Sequence, residues 1–553
     1  MDRPWVDSYD PGVPPEIDYP PITLSQLLDR TAERWPDATA TIFHGATLTY
    51  AGLARQVDAF AAGLQARGVS PGDRIAVMLP NVPQFIVAFY GALKAGAVVV
   101  PTNPLYTPPE LAHQLNDAGA TFIVTLDQLF GSVQPILGRT PLHGVILTDV
   151  GEALPRHIRP LYAIKRRREG IRLVKAGEHL IRFADLSRPS GAPAPVPIKP
   201  GDLAVLQYTG GTTGTSKGAM LTHHNLVANA LQCAAWQKVD EPGTTVLCVI
   251  PFFHVYGLTV AMNLAIASGS AMILIPRFDA QEIAKAAEKG RPQLFPGVPT
   301  MYIALSLLPN FSAKQFGSLK ACISGAAPLP LEVQDRFEEV CGARLVEGYG
   351  LTEASPVTHS NPVEGENRHG TIGLPFPDTD AKIVDSDSWK ELPPGQVGEL
   401  VVAGPQVMQG YWNHPEETAA VLNDGWLRTG DLGTVDQDGF FSIVDRKKDV
   451  IIASGFNIYP REVEDVLFEH PKVKEAAVVG TYDFYRGETV KAFVVLRPGE
   501  QATPEEIIDF CRERLASFKV PKIIEFRSEL PKSLIGKVLR RELRVKPAPD
   551  RTA

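Results

Sequence analysis

An apolar strand runs directly into a loop of glycine and hydroxyl residues at residues 203–218, LAVLQYTGGTTGTSKG. Glycine lets a backbone approach its ligand closely, so the N–H groups of such a loop can surround phosphate oxygens. The hydroxyls and one lysine add further donors and positive charge. A Walker loop would end in Gly-Lys-Ser/Thr, whereas here Lys217 lies between Ser216 and Gly218. The stretch therefore predicts a nucleotide-phosphate loop of a different kind.

Around this loop, β-branched apolar runs alternate with helical patterns. Strand-like runs occur at 74–79, 97–100, 121–124 and 144–147, and an apolar helical pattern occurs at 85–95. This alternation is typical of α/β units with mostly parallel sheets. After Gln396 the pattern changes to short strands and turns, and the charged run DRKKD at 445–449 interrupts it. We predict an α/β protein with a large N-terminal domain (1–447) of mostly parallel α/β layers plus a β-rich subdomain, and a small mobile α+β C-terminal domain (448–553).

The composition narrows the possible classes of protein. The chain has 553 residues, of which 44% are hydrophobic and 21% charged, as in globular proteins of two or more domains. Its net charge of -8 gives no global basic field, so we expect no nucleic-acid partner. Five cysteines without CxxC spacing fit neither a disulfide framework nor a zinc site. We therefore expect the protein to reside in the reducing cytoplasm. The apolar stretch 258–275 contains Asn263 and a Ser-Gly-Ser turn, so it predicts a buried helix followed by a buried strand.

Further motifs follow the loop in a fixed order. They are EGYGLTEASP at 347–356, WLRTGDLG at 426–433, DRKKDVIIASGFNIYPREVE at 445–464 and PKSLIGKVLRREL at 531–543. Together with the loop they resemble the adenylate-forming superfamily of acyl-CoA synthetases, 4-coumarate ligases, luciferases and peptide-synthetase adenylation domains. PFFHVYGL at 251–258 and SGAAPLP at 324–330 are most similar to bacterial medium- to long-chain fatty-acid CoA ligases. The resemblance implies that ATP, Mg²⁺ and coenzyme A serve to ligate a fatty acid to coenzyme A through an acyl-adenylate, releasing AMP and pyrophosphate.

The resemblance also implies a set of ATP-binding residues. They are Thr209, Gly210, Gly211, Thr212, Thr213, Gly214 and Lys217 in the loop; Gly325, Ala326, Ala327, Pro328, Gly348 and Tyr349, which would form the adenine slot; and Glu347, Gly350, Thr352, Asp431, Arg446 and Lys448. Asp431 would accept both ribose hydroxyls, and Thr352 would contact the α-phosphate. Glu353, in the turn 349–353, would supply the carboxylate that Mg²⁺ prefers, with Thr209 as a hydroxyl ligand.

Two more residues are implied for catalysis and one for movement. Lys537 would neutralise the charge that gathers on the carboxylate and the α-phosphate during attack. His254 would lie beside the same groups. Without the resemblance, the residues around it are also compatible with a histidine that packs in the protein core. Lys448 matches the hinge about which the C-terminal domain rotates between half-reactions. After rotation a loop would replace Lys537 and line the coenzyme A channel; its residues are Ser454, Gly455, Phe456 and Asn457.

Residues 156–182 form a basic stretch, in which nine Lys and Arg residues accompany only Glu169 and Glu178. Apolar residues lie between them, and the pattern leaves two interpretations open. One is a solvated helical face, and the other is a segment that contacts an anionic membrane surface, which would place the protein at the inner face of the membrane. The oligomeric state is also left open, a homodimer included.

Several alternatives share these sequence features. A ligase for an aryl or other carboxylic acid, or one that loads a carrier protein, would carry the same motifs. The apolar helix 258–266 and the small residues at 325–327 either wall an acyl tunnel or simply pack in the core. A non-catalytic acyl-nucleotide binding protein is disfavoured because Glu353 and Lys537 are both present. A kinase or other NTPase is disfavoured by the missing Walker pattern, and it would release ADP rather than pyrophosphate.

Overall fold

The computed structural model describes residues 3–170, 174, 177, 179–187, 191–209, 216–239, 241–453, 456–483, 487–533 and 536–544. The chain divides into two compact units. The first is Met1–Asp380 with Ala403–Leu427, and the second is Ala381–Val402 with Arg428–Ala553. The predicted domain boundary between residues 447 and 448 lies inside the second unit and stays a prediction.

The first unit is built on two mixed sheets. Its strands are β1 (Thr39–Phe43), β2 (Ala46–Thr49), β3 (Arg74–Met78), β4 (Val98–Pro101), β5 (Ala120–Leu126), β6 (Gly144–Thr148), β7 (Leu180–Arg182), β8 (Leu203–Thr209), β9 (Lys217–Thr222), β10 (Thr245–Cys248), β11 (Ala271–Leu274), β12 (Leu294–Gly297), β13 (Ala321–Ser324), β14 (Arg344–Gly350), β15 (Val357–Ser360) and β16 (Leu374–Pro375).

In the described part of the chain one sheet has the order β7-β6-β5-β3-β4-β8-β9 and is parallel except for β9. The other has the order β16-β15-β14-β13-β12-β10-β11-β1-β2, with six parallel strands from β14 to β1. Both sheets confirm the predicted parallel α/β layers.

Helices cover these sheets. They are α1 (Leu24–Arg34), α2 (Tyr50–Ala66), α3 (Pro83–Lys94), α4 (Pro108–Ala118), α5 (Phe130–Val133), α6 (Arg159–Arg168), α7 (Phe183–Leu186), α8 (His223–Trp236), α9 (Leu264–Ser268), α10 (Ala280–Gly290), α11 (Pro299–Ser306), α12 (Ala313–Phe316), α13 (Leu331–Cys341) and α14 (Pro415–Val421). Threonine capping boxes at Thr23, Thr107 and Thr222 satisfy the first N–H groups of α1, α4 and α8. These caps fix where the covering helices begin.

The apolar stretch 258–275 is buried, as predicted. A π-helical segment, Gly257–Asn263, continues into α9, and the left-handed Gly269 ends the helix before β11. Such π-helical turns are rare and often lie at functional sites. Within the described residues, no helix combines the length and the apolar character needed to cross a membrane. All five cysteines are buried free thiols.

The remaining strands are β17 (Asp380–Val384), β18 (Gly398–Ala403), β19 (Leu422–Asn423), β20 (Trp426–Val435), β21 (Phe441–Arg446), β22 (Ile451–Ala453), β23 (Phe456–Ile458), β24 (Val473–Asp483), β25 (Gly487–Leu496) and β26 (Ile523–Phe526), with helices α15 (Pro460–Phe468), α16 (Pro504–Arg512) and α17 (Arg540–Leu543). In the second unit β20 pairs with β21, and β22 to β26 form a sheet around a core of Val463, Leu467, Val478, Val494 and Ile507. The apolar runs at residues 476–479 and 492–496 lie in β24 and β25. The predicted fold class, a large parallel α/β domain followed by a smaller α+β domain, is confirmed.

Candidate active site

The predicted phosphate loop lies in the chain between β8 and β9, which pair as antiparallel strands. Thr209 and Lys217 are cross-strand partners at its base, and the Ser216 hydroxyl donates to the Thr209 carbonyl at 2.6 Å. The loop residues Gly210, Gly211, Thr212, Thr213 and Gly214 lie outside the described residues. The predicted loop, residues 208–218, is too long at both ends, because Tyr208 and Thr209 pair with Gly218 and Lys217 as strand residues. The hairpin thus holds the two predicted phosphate contacts at its base side by side.

Tyr411 connects the end of this hairpin to Glu353. Residues 409–412 run alongside β9 and are hydrogen-bonded to its backbone. The centroid of the Tyr411 ring lies 5.6 Å from Nζ of Lys217, and the Tyr411 hydroxyl donates to Oε1 of Glu353 at 2.7 Å. Burial and the Glu353 charge hold the pKa of Tyr411 well above its usual range, so the phenol keeps its proton. Lys217 also pairs with Glu417 at 3.1 Å. The structure thus links the predicted metal acid to the predicted phosphate loop.

The turn that carries Glu353 begins later than predicted. Residues 349–350 belong to β14 and pair with β15, and the 3₁₀ turn Thr352–Ala354 follows. A Cβ atom at Gly350 would overlap the carbonyl of Pro356, so only glycine permits this close strand approach. The Glu353 carbonyl accepts a 2.8 Å hydrogen bond from the N–H of Met408. Thr352 and Glu353 are therefore fixed beyond the carboxyl end of β14, the edge at which parallel sheets bind ligands.

The predicted adenine residues come from neighbouring strands. Ser324, the last residue of β13, pairs with Glu347 in β14. This register places the segment Gly325, Ala326, Ala327 and Pro328 directly after β13, beside Gly348 and Tyr349 of the next strand. Ala326 has a φ of +67°, in the left-handed region that non-glycine residues rarely adopt. Such strain costs about 1–3 kcal/mol and concentrates at ligand sites. The structure thus brings this group of predicted residues together.

His254 is positioned by a buried asparagine. The Asn81 side chain makes three hydrogen bonds of 2.8–3.0 Å with backbone groups of residues 248–252, which fixes the loop before the histidine. The N–H of Tyr256 donates to Nδ1 of His254 at 3.2 Å. In the neutral ring the proton therefore resides on Nε2, which makes Nε2 a hydrogen-bond donor. His254 is half-buried, and its contact with substrate stays a prediction.

In the second unit four predicted residues form one charged cluster. Asp431 and Arg446 are cross-strand partners in β20 and β21, with Nε of Arg446 3.4 Å from Oδ1 of Asp431. Lys537 lies on a tight hairpin, where its carbonyl accepts from the N–H of Ser533 at 2.8 Å. Burial, and next the charge of Arg446, lowers the pKa of Lys537 to about 7. Partial burial and Arg446 also lower the pKa of Lys448 to about 8.

These shifts describe two partly or fully buried lysines in a mainly positive site. Arg446, Lys448 and Lys537 lie around Asp431, with Asp449 as a second carboxylate near Lys448, and both lysines interact unfavourably with Arg446. An anion bound here would raise the lysine pKa values by stabilising the charged forms. A phosphate or carboxylate group is an anion of this kind, while the Asp431 carboxylate can accept hydrogen bonds from hydroxyl groups. The cluster has the chemistry of a nucleotide site.

The predicted coenzyme A loop is only partly described. Ser454 and Gly455 lie outside the described residues. Phe456 and Asn457 begin β23 and pair with β22. The Phe456 ring is exposed and stacks on Phe518 with ring centroids 4.7 Å apart. The role of this loop in the coenzyme A channel stays a prediction.

The sequence did not reveal three residues that the structure adds to the site. Tyr411 is separated from Glu353 by 58 positions, and Asn81 from its backbone partner Cys248 by 167. No local pattern could connect residues so far apart. Arg540 is different because it lies in the quoted PKSLIGKVLRREL motif. Its position three residues after Lys537 was the available signal.

Comparisons with known proteins agree with this geometry. Models described as AMP-binding enzyme and AMP-binding enzyme C-terminal domain match residues 28–412 and 462–537. The chain is 49% identical to a long-chain-fatty-acid–CoA ligase of Bacillus subtilis (strain 168), over 98% of this chain and 97% of that protein. It is 38% identical to a feruloyl-CoA synthase of Amycolatopsis sp, over 93% and 97%. The crystal structure of ATP-bound MatB from Rhodopseudomonas palustris has a TM-score of 0.84 and 31% identity, over 95% of this chain and 98% of that one. The chain therefore belongs to the family of AMP-binding enzymes.

Proposed function

We propose that this protein ligates a medium- or long-chain fatty acid to coenzyme A through an acyl-adenylate, releasing AMP and pyrophosphate. The observation that carries the proposal is the cluster of Arg446, Lys448 and Lys537 around Asp431, whose cations suit phosphate groups and whose carboxylate suits ribose hydroxyls. The 49% identity to a relative named as a long-chain-fatty-acid–CoA ligase supports the choice of acid.

In the first half-reaction a carboxylate oxygen attacks the α-phosphorus of ATP, and the bond from that phosphorus to the bridging oxygen of pyrophosphate breaks. Charge builds up on the oxygens of the α-phosphate. The Lys537 ammonium and the Nε2–H of His254 would stabilise that charge, and Thr352 would add a hydroxyl donor. The hairpin loop between Thr209 and Lys217 would hold the leaving pyrophosphate. Asp431 would orient the ribose.

Mg²⁺ would be held by Glu353 and Thr209, a carboxylate and a hydroxyl that fit its preference for oxygen. Among the described residues no group of three or more His, Cys, Asp or Glu side chains could hold a metal. That sparse donor set suits an ion bound by one or two protein ligands and by substrate phosphates. When bound, the ion neutralises phosphate charge. Tyr411 keeps Glu353 oriented for this role through its 2.7 Å hydrogen bond.

In the second half-reaction the coenzyme A thiolate attacks the acyl carbonyl, a C–S bond forms, and the C–O bond to AMP breaks. Lys537 has no part in this step. We propose that the chain turns about Lys448 so that the loop of residues 454–457 replaces Lys537 and lines the channel for the pantetheine arm.

The acyl chain would lie against the buried π-helical segment Gly257–Asn263. Each CH₂ buried contributes about 0.8 kcal/mol, so catalytic efficiency should rise about fourfold per CH₂ until the tunnel ends. This dependence on chain length can be tested with a panel of free acids from acetate to palmitate, to which cinnamate and ferulate are added. Each acid is supplied with ATP and coenzyme A, and the release of AMP and the formation of thioester are measured. A flat profile would reject the fatty-acid assignment, and a preference for cinnamate or ferulate would make the protein an aryl-acid ligase.

We also propose that helix α6 contacts an anionic membrane surface. Leu161 and Ile164 are 67% and 53% exposed, and they share one helix face with Lys165 and Arg168 at i, i+3, i+4 and i+7 spacing. Exposed apolar side chains beside cations suit the interface of an anionic bilayer. On the other side of the helix, Arg166 pairs with Asp149 at 3.1 Å.

Not every cation of the basic stretch supports this contact. Arg182 pairs with Asp127 and Glu152 at 2.8 and 3.3 Å, and so faces the protein, as Arg166 does. Arg172 and Lys175 lie outside the described residues. The contact therefore rests on α6 itself.

Sedimentation with phosphatidylglycerol vesicles tests the membrane contact. Binding at low salt should be lost when Lys165, Arg167 and Arg168 become Gln, and weakened when Leu161 and Ile164 become Ser. The matched control changes three exposed cations elsewhere, Lys285, Lys314 and Lys320, to Gln. No binding by the unaltered protein, or equal loss of binding in the control, would reject the membrane contact.

The homodimer stays a prediction, and light scattering of the full-length protein would test it.

A further inference from the structure

Arg540 joins the catalytic lysine hairpin to three carboxylates. Its guanidinium forms a two-point contact with Glu464, with Nε–Oε1 at 3.2 Å and Nη2–Oε2 at 2.6 Å. Nη1 also lies 3.2 Å from Oδ1 of Asp445 and 3.5 Å from Oδ2 of Asp449. These acidic side chains are almost fully buried, and Arg540 is only 20% exposed. Charge-assisted bonds in such surroundings are among the strongest that a protein makes.

The three carboxylates differ in their position relative to the proposed hinge at Lys448. Asp445 is in β21, before the hinge, whereas Asp449 and Glu464 follow it. Oδ2 of Asp445 also accepts a 2.8 Å hydrogen bond from the N–H of Arg461, in the first turn of α15. Asp445 therefore contacts two groups that lie beyond the hinge, one on Arg540 and one on Arg461.

We propose that Asp445 is a positioning residue that holds Lys537 in the arrangement for adenylation. The inference rests on the proposed two-step function and names the contact that must be exchanged between the steps. Rotation about Lys448 changes the distance from Asp445 to every group after the hinge. Arg540 keeps Glu464 as a partner throughout, because both follow the hinge. The bond between Asp445 and Arg540 thus exists in one arrangement only.

A contact made in only one of two arrangements shifts the equilibrium between them by its own free energy. Loss of one charge-assisted hydrogen bond should change that equilibrium about tenfold. Asp445→Asn removes the charge facing Arg540 while keeping an oxygen that can accept from a backbone N–H. The variant should lose adenylation about tenfold without losing thioesterification.

The experiment compares the two half-reactions in the full-length protein. Pyrophosphate exchange with dodecanoate reports adenylation, and thioester formation from supplied dodecanoyl-adenylate reports the second step. Asp449→Asn is the matched control, because Asp449 also contacts Arg540 but lies on the same side of the hinge. Only Asp445→Asn should change the ratio of the two rates. Asp445→Glu, which keeps the charge, should retain the ratio of the unaltered protein, and a changed ratio in this variant would also overturn the inference.

Equal losses in both half-reactions for Asp445→Asn, or the same change of ratio in Asp449→Asn, would overturn the inference. Trypsin cleavage after Lys447 and Lys448 provides a second measurement that needs no activity. Asp445→Asn should be cut faster than both the unaltered protein and Asp449→Asn, and equal cutting would also overturn the inference. An unaltered protein without any pyrophosphate exchange would instead reject the proposed function, while the trypsin comparison would still test the contact between Asp445 and Arg540.

Discussion

Replacing Lys537 by alanine should nearly abolish acyl-adenylate formation and leave thioesterification largely intact. Lys537 is the cation of the cluster whose pKa is lowered most, and it interacts with both Arg446 and Asp431. Removing one preorganised electrostatic group from a reaction centre typically costs a factor of about 10² to 10³ in rate. The second step proceeds without this lysine, so its rate should change little.

The lowered pKa adds a pH dependence with a definite sign. With a pKa of about 7, Lys537 is mostly charged at lower pH and loses its charge as the pH rises. Only the charged ammonium can neutralise the α-phosphate, and kcat/KM reports ionisation in the free enzyme. The kcat/KM for ATP in pyrophosphate exchange should therefore fall about tenfold per pH unit above the pKa. Lys537→Arg, which stays charged, should remove this decline.

The assay is pyrophosphate exchange with dodecanoate across this pH range, run beside thioester formation from dodecanoyl-adenylate. The ionising thiol of coenzyme A should make thioesterification rise with pH. A flat exchange profile through pH values well above the pKa would refute the charge assignment. Comparable losses in both half-reactions for Lys537→Ala would refute the division of labour.

Three further changes test other parts of the site. Tyr411→Phe removes the hydrogen-bond donor to Glu353 and should lower kcat/KM for MgATP about tenfold. The control Tyr482→Phe changes a tyrosine that is 77% exposed and should leave kcat/KM unchanged. Equal effects of the two substitutions would reject the role of Tyr411. Asn81→Ala removes three buried hydrogen bonds to the backbone and should destabilise the protein by about 3 kcal/mol in chemical unfolding. Asn103→Ala breaks one exposed hydrogen bond and should cost under about 1 kcal/mol. Gly455→Leu should block thioester formation and spare pyrophosphate exchange, and a parallel loss of exchange would reject the channel.

Local pattern was sufficient for several strands and helices of the first unit. The apolar run before the predicted phosphate loop predicts β8, and the glycine turn within residues 258–275 separates a helix from β11. The ends of loops were harder to predict. Lys217 and Gly350 lie among glycines, which indicate turns, yet both are strand residues because β9 and β15 pair with the preceding strands. Pairing with a neighbour outweighs local propensity in sheets.

Side-chain partners distant in sequence explain the remaining differences. The sequence groups Arg166 and Arg182 with the other cations of the basic stretch, but both pair with carboxylates of the first unit. Charge counting cannot detect such pairs, because their partners lie 17 and 55 positions away. The cluster around Asp431 shows the opposite case. Each member was inferred from a motif, and their common location became visible only when β20, β21 and the Lys537 hairpin were placed.

The most direct test of the proposed reaction follows oxygen from the acid to the nucleotide. The protein would be supplied with dodecanoate labelled with ¹⁸O in its carboxylate, together with ATP, Mg²⁺ and coenzyme A, and the products would be examined by mass spectrometry. Attack of the carboxylate on the α-phosphorus predicts one ¹⁸O atom in the phosphate of AMP and one in the carbonyl of dodecanoyl-CoA, with no label in pyrophosphate. Labelled inorganic phosphate with ADP, or AMP without label, would contradict an acyl-adenylate intermediate.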